Sequence, residues 1–241
     1  MMLGWAAAGC GSSTTTSPSS TTPTTSVGFF GGTLSASGSV PNSFIIATAG
    51  AVEVTLLTLN TANGDVASVP VALAVGTFTD TTCTPTTTVS ATPALKAQLT
   101  TTLTAATYCV NVADPGTVTD DLSFTLRVVA LPTSTAGTST TETFSSNVAP
   151  GGSSSRTFIV AAGGTVSATL QSLGAPVDVS LAIGVANVST QLCTATAVVT
   201  GQGGTQLSLP ADPSTYCVKI FDRAGKLTAP TTSFTISIVH P

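Results

Sequence analysis

The chain has 241 residues, room for one or two domains with cores of their own; only 7% are charged, 5% aromatic and 42% hydrophobic. Six Lys and Arg against ten Asp and Glu give a net charge of -4, which excludes a nucleic-acid groove and a basic membrane-surface patch. Mean hydropathy is high, +0.47, yet no apolar run is long enough to cross a bilayer as a helix, and the Val, Ala, Leu and Ile residues are dispersed among Thr and Ser, which favours strands.

Residues 1–9, MMLGWAAAG, are apolar and uncharged and lead into Cys10. Ala7-Ala8-Gly9-Cys10 resembles the lipobox of bacterial lipoproteins. That resemblance implies cleavage before Cys10, a diacylglyceryl group on its thiol, and a membrane anchor at the mature N-terminus. Residues 10–27 follow as a Ser/Thr-rich stretch without charge and almost without apolar side chains. Such a stretch cannot bury enough surface to offset its ordering entropy, so it reads as a tether. The same composition suits an unanchored disordered terminus.

From residue 28 onward the chain repeats itself. Phe44-Ile45-Ile46-Ala47 matches Phe158-Ile159-Val160-Ala161. Gly50 and Gly164 then open alternating runs, Val52, Val54 and Leu56 in one and Val166, Ala168 and Leu170 in the other. Val71-Ala72-Leu73-Ala74-Val75-Gly76 matches Val179-Ser180-Leu181-Ala182-Ile183-Gly184, Tyr108-Cys109-Val110 matches Tyr216-Cys217-Val218, and Ser123-Phe124-Thr125-Leu126 matches Ser233-Phe234-Thr235-Ile236. The order is kept and the offset drifts only slightly, which is a duplication with small loop insertions. The first copy carries an extra Asn60–Val69 loop with an Asn63-Gly64 turn signal. The units are therefore residues 28–131 and 140–241, joined by a linker at 132–139. Each has about seven or eight period-two stretches separated by turn residues, and none holds a helical period for three turns. Ala94–Leu103 and Gly204–Leu209 are both read as strands. The fold class is all-β, two tandem antiparallel β-sandwiches.

Five cysteines divide as one plus two plus two. Cys83 and Cys109 lie in the first unit, Cys193 and Cys217 at corresponding places in the second, so pairing within each unit is expected. Closing a loop of about 25 residues contributes on the order of 3 kcal/mol. Tyr108, Val110 and Val112 share the apolar face of one strand, so Cys109 faces the other way, as does Cys217; each disulfide then ties a loop or edge to the outside of a sheet. A metal site is the alternative, but it needs four ligands and neither histidines nor a CxxC pair stand nearby. Disulfides imply an oxidising compartment and therefore export. Cys10 remains as the odd cysteine, as lipidation requires.

The unit also resembles the bacterial pre-peptidase C-terminal (PPC) domain. The second copy carries the resemblance best. Phe158-Ile159-Val160 before Gly163-Gly164-Thr165-Val166 looks like its early strand and glycine turn. Val177-Asp178-Val179-Ser180-Leu181 looks like its central strand, Ser214-Thr215-Tyr216-Cys217-Val218-Lys219-Ile220 like its signature strand, and Phe234-Thr235-Ile236-Ser237-Ile238 like its closing strand. The first copy has Pro70-Val71 where the central Asp would stand. The resemblance spans most of residues 40–241. It implies a compact jelly-roll-like sandwich on secreted bacterial proteins, accessory to enzymes and not catalytic itself.

A search for chemistry agrees. Nucleophilic catalysis needs a base, and the lone histidine, His240, stands one residue from the end and is expected to be frayed. Lys96, Lys219 and Lys226 sit in no SxxK motif. Asp120-Asp121 are adjacent and read as a solvated turn. Asp114 and Asp222 follow the Tyr-Cys strand in both copies and read as Asx turns, with calcium as the functional alternative. Among aromatics, Phe29-Phe30 and Phe221 are the candidates for exposure on a sugar-binding surface; Tyr108 and Tyr216 fall on core faces.

The sequence thus predicts a non-catalytic exported lipoprotein, periplasmic or on the cell surface, anchored through Cys10. Disulfides are expected at Cys83, Cys109, Cys193 and Cys217. No cofactor, metal site or nucleic-acid partner is expected, and the ligand-binding residues stay unassigned. The partner would be an extracellular protein or an envelope polymer; a carbohydrate-binding module pair recognising an extracellular glycan is the alternative.

Overall fold

The computed structural model describes residues 25–130, 137–187 and 192–241. Cys10 and the lipobox lie outside the described residues, as do most of the tether and much of the linker. The described residues form sixteen strands and no helix. The first copy comprises β1 (Ser26–Leu34), β2 (Ser39–Ile46), β3 (Gly50–Asn60), β4 (Val71–Thr79), β5 (Thr82–Ala91), β6 (Leu99–Leu103), β7 (Ala106–Ala113) and β8 (Leu122–Ala130). The second comprises β9 (Thr140–Val148), β10 (Ser153–Val160), β11 (Gly164–Leu173), β12 (Val179–Ala186), β13 (Cys193–Gly201), β14 (Gln206–Ala211), β15 (Ser214–Phe221) and β16 (Thr232–His240).

Each copy is a sandwich of two four-stranded antiparallel sheets. The orders are β1-β8-β3-β6 over β2-β7-β4-β5 in the first, and β9-β16-β11-β14 over β10-β15-β12-β13 in the second. Every strand of the second copy occupies the place of the strand eight earlier, so the duplication holds at the level of pairing. The inner faces follow from alternation. Val52, Val54 and Leu56 of β3 and Phe124, Leu126 and Val128 of β8 meet Leu73, Val75, Val110 and Val112 from the facing sheet. Val166, Ala168, Leu170, Phe234, Ile236 and Ile238 meet Leu181, Ile183, Val218 and Ile220 in the second copy.

Three local expectations change. The tether reading of residues 10–27 runs too far: Ser26 and Val27 already pair with Ala130 and Val129 of β8, so β1 starts at Ser26. Within Ala94–Leu103 only Leu99–Leu103 is a strand, because residues 92–98 leave the sheet. His240 is not frayed. It is the last residue of β16, pairs with Thr140 of β9, and is 5% exposed. Its Nε2 lies 3.2 Å from Glu142 Oε1 and its ring 5.3 Å from that of Phe158.

The structure joins Cys83 to Cys109 and Cys193 to Cys217. The bridged strands, β5 and β7, are not neighbours, since β4 lies between them. Two strands so separated run about 10 Å apart, yet the Cα atoms of Cys83 and Cys109 are 5.7 Å apart. A bulge closes the gap. Pairing of β4 with β5 slips between Val75 and Gly76, leaving Thr86 unpaired, and the hairpin tip folds over the outer face of the sheet. It crosses directly above Gly76, where a Cβ would sit 2.0 Å from the carbonyl oxygen of Thr84. The second copy repeats the device: the slip falls between Ile183 and Gly184, and a Cβ on Gly184 would meet Thr194 O at 1.9 Å. Only glycine can stand beneath the tip. The folded tip also covers Cys109 and Cys217, both 0% exposed despite facing away from the core.

Candidate binding site between the two copies

The copies differ where they touch. Residues 61–70 join β3 to β4, whereas 174–178 suffice between β11 and β12; residues 92–98 join β5 to β6, whereas 202–205 suffice between β13 and β14. Both longer loops of the first copy reach the second.

Segment 92–98 delivers Leu95 to the other copy. Leu95 is fully buried, belongs to the second core, and bridges in parallel to Ala211. The peptide N–H of Ala97 donates to Asp212 Oδ2 at 2.8 Å, and that of Asp212 donates to Leu95 O at 3.2 Å. The Tyr216 hydroxyl donates to Asp212 O at 2.7 Å, with Leu95 O 3.1 Å away. Arg127 closes this cluster from the outer face of the first copy's β8 and is 1% exposed. Its Nη1 donates to the Tyr216 hydroxyl at 3.1 Å and to Pro213 O at 3.2 Å; its Nη2 donates to Asp212 Oδ2 at 3.2 Å. A buried guanidinium is tolerable only with such partners. Burial pushes the Tyr216 phenol above its ordinary range, the Arg127 charge opposing this only in part. Burial and the Asp212 charge together push the Glu53 carboxyl up.

Loop 61–70 delivers Asp65, which pairs with Arg223. Asn60, at the end of β3, donates from Nδ2 to Ala195 O at 3.3 Å, on the disulfide-pinned tip of the second copy. Between this loop and the strand end of β15 lies a polar cleft of about 680 Å³. Its walls include Asn60, Asn63, Ser153, Thr194, Lys219 and Phe221. The Lys219 ammonium lies 5.3 Å from the centre of the Phe221 ring. A second groove of about 580 Å³ carries the exposed apolar side chains Val27, Phe29 and Ile159.

The other candidates fall into place around this junction. Asp114 is an Asx turn: its Oδ1 accepts from the peptide N–H groups of Gly116, Thr117 and Val118, and its Oδ2 from Ser37. The Ser37 donation leads in holding its carboxyl down at about 2. Asp222 does the same work for Gly151, Lys226 and Leu227. Burial pushes its carboxyl up, but these donations outweigh burial and leave it below the ordinary range. Asp120 and Asp121 are exposed. Phe29 is 53% exposed, Phe30 packs against the first core, and Phe221 is half-buried. Lys226 approaches Asp178 at 3.9 Å on the surface. Among the described residues no group of three or more His, Cys, Asp or Glu is placed to hold a metal.

Sequence reading missed Arg127 and Asp212. The signal was present: Arg127 is the lone charge in Leu122–Ala130, a closing strand whose other residues are apolar apart from Ser123 and Thr125, and its counterpart in the second copy is Ser237.

No family model and no curated protein sequence matches the chain. Among solved structures, the PBSX exported protein XepA is similar over 89% of this chain and 86% of its own, at 11% identity and a TM-score of 0.31. So loose a likeness says nothing about function.

Proposed function

We propose that the protein is a non-catalytic exported lipoprotein whose two PPC-like modules form one binding body at the cell envelope, periplasmic or on the cell surface. The observation that carries this reading is the pair of disulfides at equivalent places in both copies, which calls for an oxidising compartment. The lipobox-like Ala7–Cys10 supports anchoring through Cys10 to a membrane. The partner is an extracellular protein or an envelope polymer, met by surface contact without covalent chemistry. A second reading, recognition of an extracellular glycan, is favoured by the polar cleft beside Phe221.

Intact mass measurement of the protein expressed with its native N-terminus, before and after reduction, tests the export reading. A chain beginning at Cys10 with a lipid-sized increment, gaining about four hydrogens on reduction of two disulfides, is expected. A chain beginning at Met1 with all thiols free would overturn it.

A further inference from the structure

We propose that β1 is an interface strand: a second copy of this chain lays its own β1 antiparallel against it and forms a two-fold dimer. The inference goes beyond the export reading and does not rest on it. An edge strand presents unpaired backbone N–H and C=O groups, and proteins guard such edges with proline, charge or shortness. Each of the four sheets has two edge strands. Pro41, Pro85 and Pro210 stand in β2, β5 and β14, and Glu142 and Arg156 in β9 and β10. Strand β6 has only five residues, and β13 gives its Ala195 carbonyl to Asn60 of the first copy. Strand β1 runs for nine residues with no proline and no charge, and among the described residues it pairs with β8 alone.

The duplication supplies the control, because β9 is the same strand in the second copy. Phe30 corresponds to Phe144, since they pair with the equivalent residues Leu126 and Ile236. Val27, Gly28 and Phe29 therefore stand where β9 has Thr141, Glu142 and Thr143. Glu142 pairs with Arg156 of β10 at 3.0 Å, and Arg156 also donates to Thr143 O at 3.0 Å. This flank of the second copy is closed by charge, and a carbonyl of its edge strand is taken. In the first copy Gly28 replaces Glu142 and Asn42 replaces Arg156, and Asn42 Nδ2 has no hydrogen-bond partner. Where β9 shows threonines to solvent, β1 shows Val27 and Phe29, both more than half exposed.

The sequence of β1 fits a second β1. Opposite residues of an antiparallel pair share a face. Paired about Phe29, the two strands set Phe29 against Phe29, Val27 against Gly31 and Phe30 against Gly28. Each bulky side chain off the axis then has a glycine opposite and covers it. With no charge on either strand, nothing repels. The new contact also continues one already made. Phe29 stands opposite Arg127, in the row that the second copy buries, and lines the apolar groove with Ile159. The added strand meets apolar side chains of both copies and joins two four-stranded sheets edge to edge.

The experiment uses the full oxidised chain carrying Cys10→Ser, so that neither lipid nor a spare thiol contributes to association. Sedimentation velocity over a dilution series is read together with amide hydrogen exchange. A dimer dissociating in the micromolar range is expected, with amides of β1 protected in the dimer and exchanging on dilution. Phe29→Lys is expected to weaken association about a hundredfold or more, because like charges meet on the axis and a two-fold contact feels each substitution twice. The double variant Gly28→Glu, Asn42→Arg gives the first copy the guard of the second and is expected to be monomeric. Phe29→Tyr, and Val239→Lys on the second copy, are expected to leave the dimer intact. Thermal melts at concentrations where the parent is monomeric separate folding from association. Should Phe29→Lys fail to fold, the double variant, built from residues that fold in the second copy, decides. A monomer at millimolar concentration, which would leave the edge to a strand of another protein, overturns the proposal. So does a dimer whose protection lies outside β1, or one that survives both Phe29→Lys and the double variant. None of these outcomes bears on the mass measurement, so the export reading stands or falls separately.

Discussion

Tyr108 and Tyr216 occupy the same place in two copies of one fold and live in different surroundings. Tyr216 is fully buried beneath Arg127, with its hydroxyl inside a four-residue network that spans both copies. Among the described residues the Tyr108 hydroxyl bonds only to Thr104 Oγ1, at 3.1 Å on the surface. Thr104 stands where the second copy has Asp212, and Ser237 stands where the first has Arg127. Two substitutions and two loop insertions therefore turn one end of the second copy into a plug and one flank of the first into its socket. Pairing topology was preserved by the duplication, and the new property was written in side chains outside both cores.

The comparison can be broken most forcefully at Arg127. Truncation in Arg127→Ala leaves Asp212 and the Tyr216 hydroxyl without their shared donor, a loss of about 3–5 kcal/mol. Urea unfolding of the variant is expected to separate into two transitions, one per copy; a single unshifted transition would refute the coupling. Next come the glycines beneath the folded hairpin tips. Gly76→Val and Gly184→Val each force a side chain into backbone, and a loss of about 3 kcal/mol with incomplete disulfide formation is expected, read by thiol counting and thermal melts. The two variants sharpen the comparison, because Thr194 and Ala195 beside Gly184 face the junction. Only Gly184→Val is expected to disturb the amide signal of Asn60.

The tyrosines themselves give a smaller contrast. Tyr216→Phe strands buried partners and is expected to lose about 1–3 kcal/mol, against no more than about 0.5 kcal/mol for Tyr108→Phe. The gentlest test is acid. Because the folded Asp114 carboxyl is held down at about 2, its contribution is complete above the ordinary carboxylate range and is lost as pH falls through the folded value. Stability is expected to decline between about pH 4 and pH 2, with the carboxyl titrating near the lower end by NMR. Asp114→Asn is expected to flatten that limb, leaving the part that the depressed Asp222 contributes over the same side of the scale.

Much of the fold is legible in the sequence because each sandwich is built by period-two alternation, and duplication shows the alternation twice. The Asx role of Asp114 and Asp222 is legible for the same reason. The junction is less so. Arg127 and Asp212 have no counterparts in the other copy, so repetition gives them no emphasis, and Leu95 lies in a stretch whose apolar residues suit a strand. What places Leu95 in the second core is a longer loop with a neighbour to reach, and that neighbour exists only in three dimensions. His240 shows the opposite error. Nearness to the chain end suggested fraying, but the pairing of β16 with β9 runs through His240 and keeps it covered. Phe221 was legible as an aromatic candidate for exposure; that it lines one cleft with the start of the Asn60–Val69 insertion was not, since the two lie far apart along the chain.

The contact between the copies is head-to-flank, a geometry that in principle could repeat from molecule to molecule into a filament. Here it stops after one step. The flank of the second copy presents Ser237 where a socket would need Arg127, and the end of the first copy presents Thr104 where a plug would need Asp212. Each copy has lost the half of the joint that its neighbour already uses, so duplication has built a closed pair with no free valence.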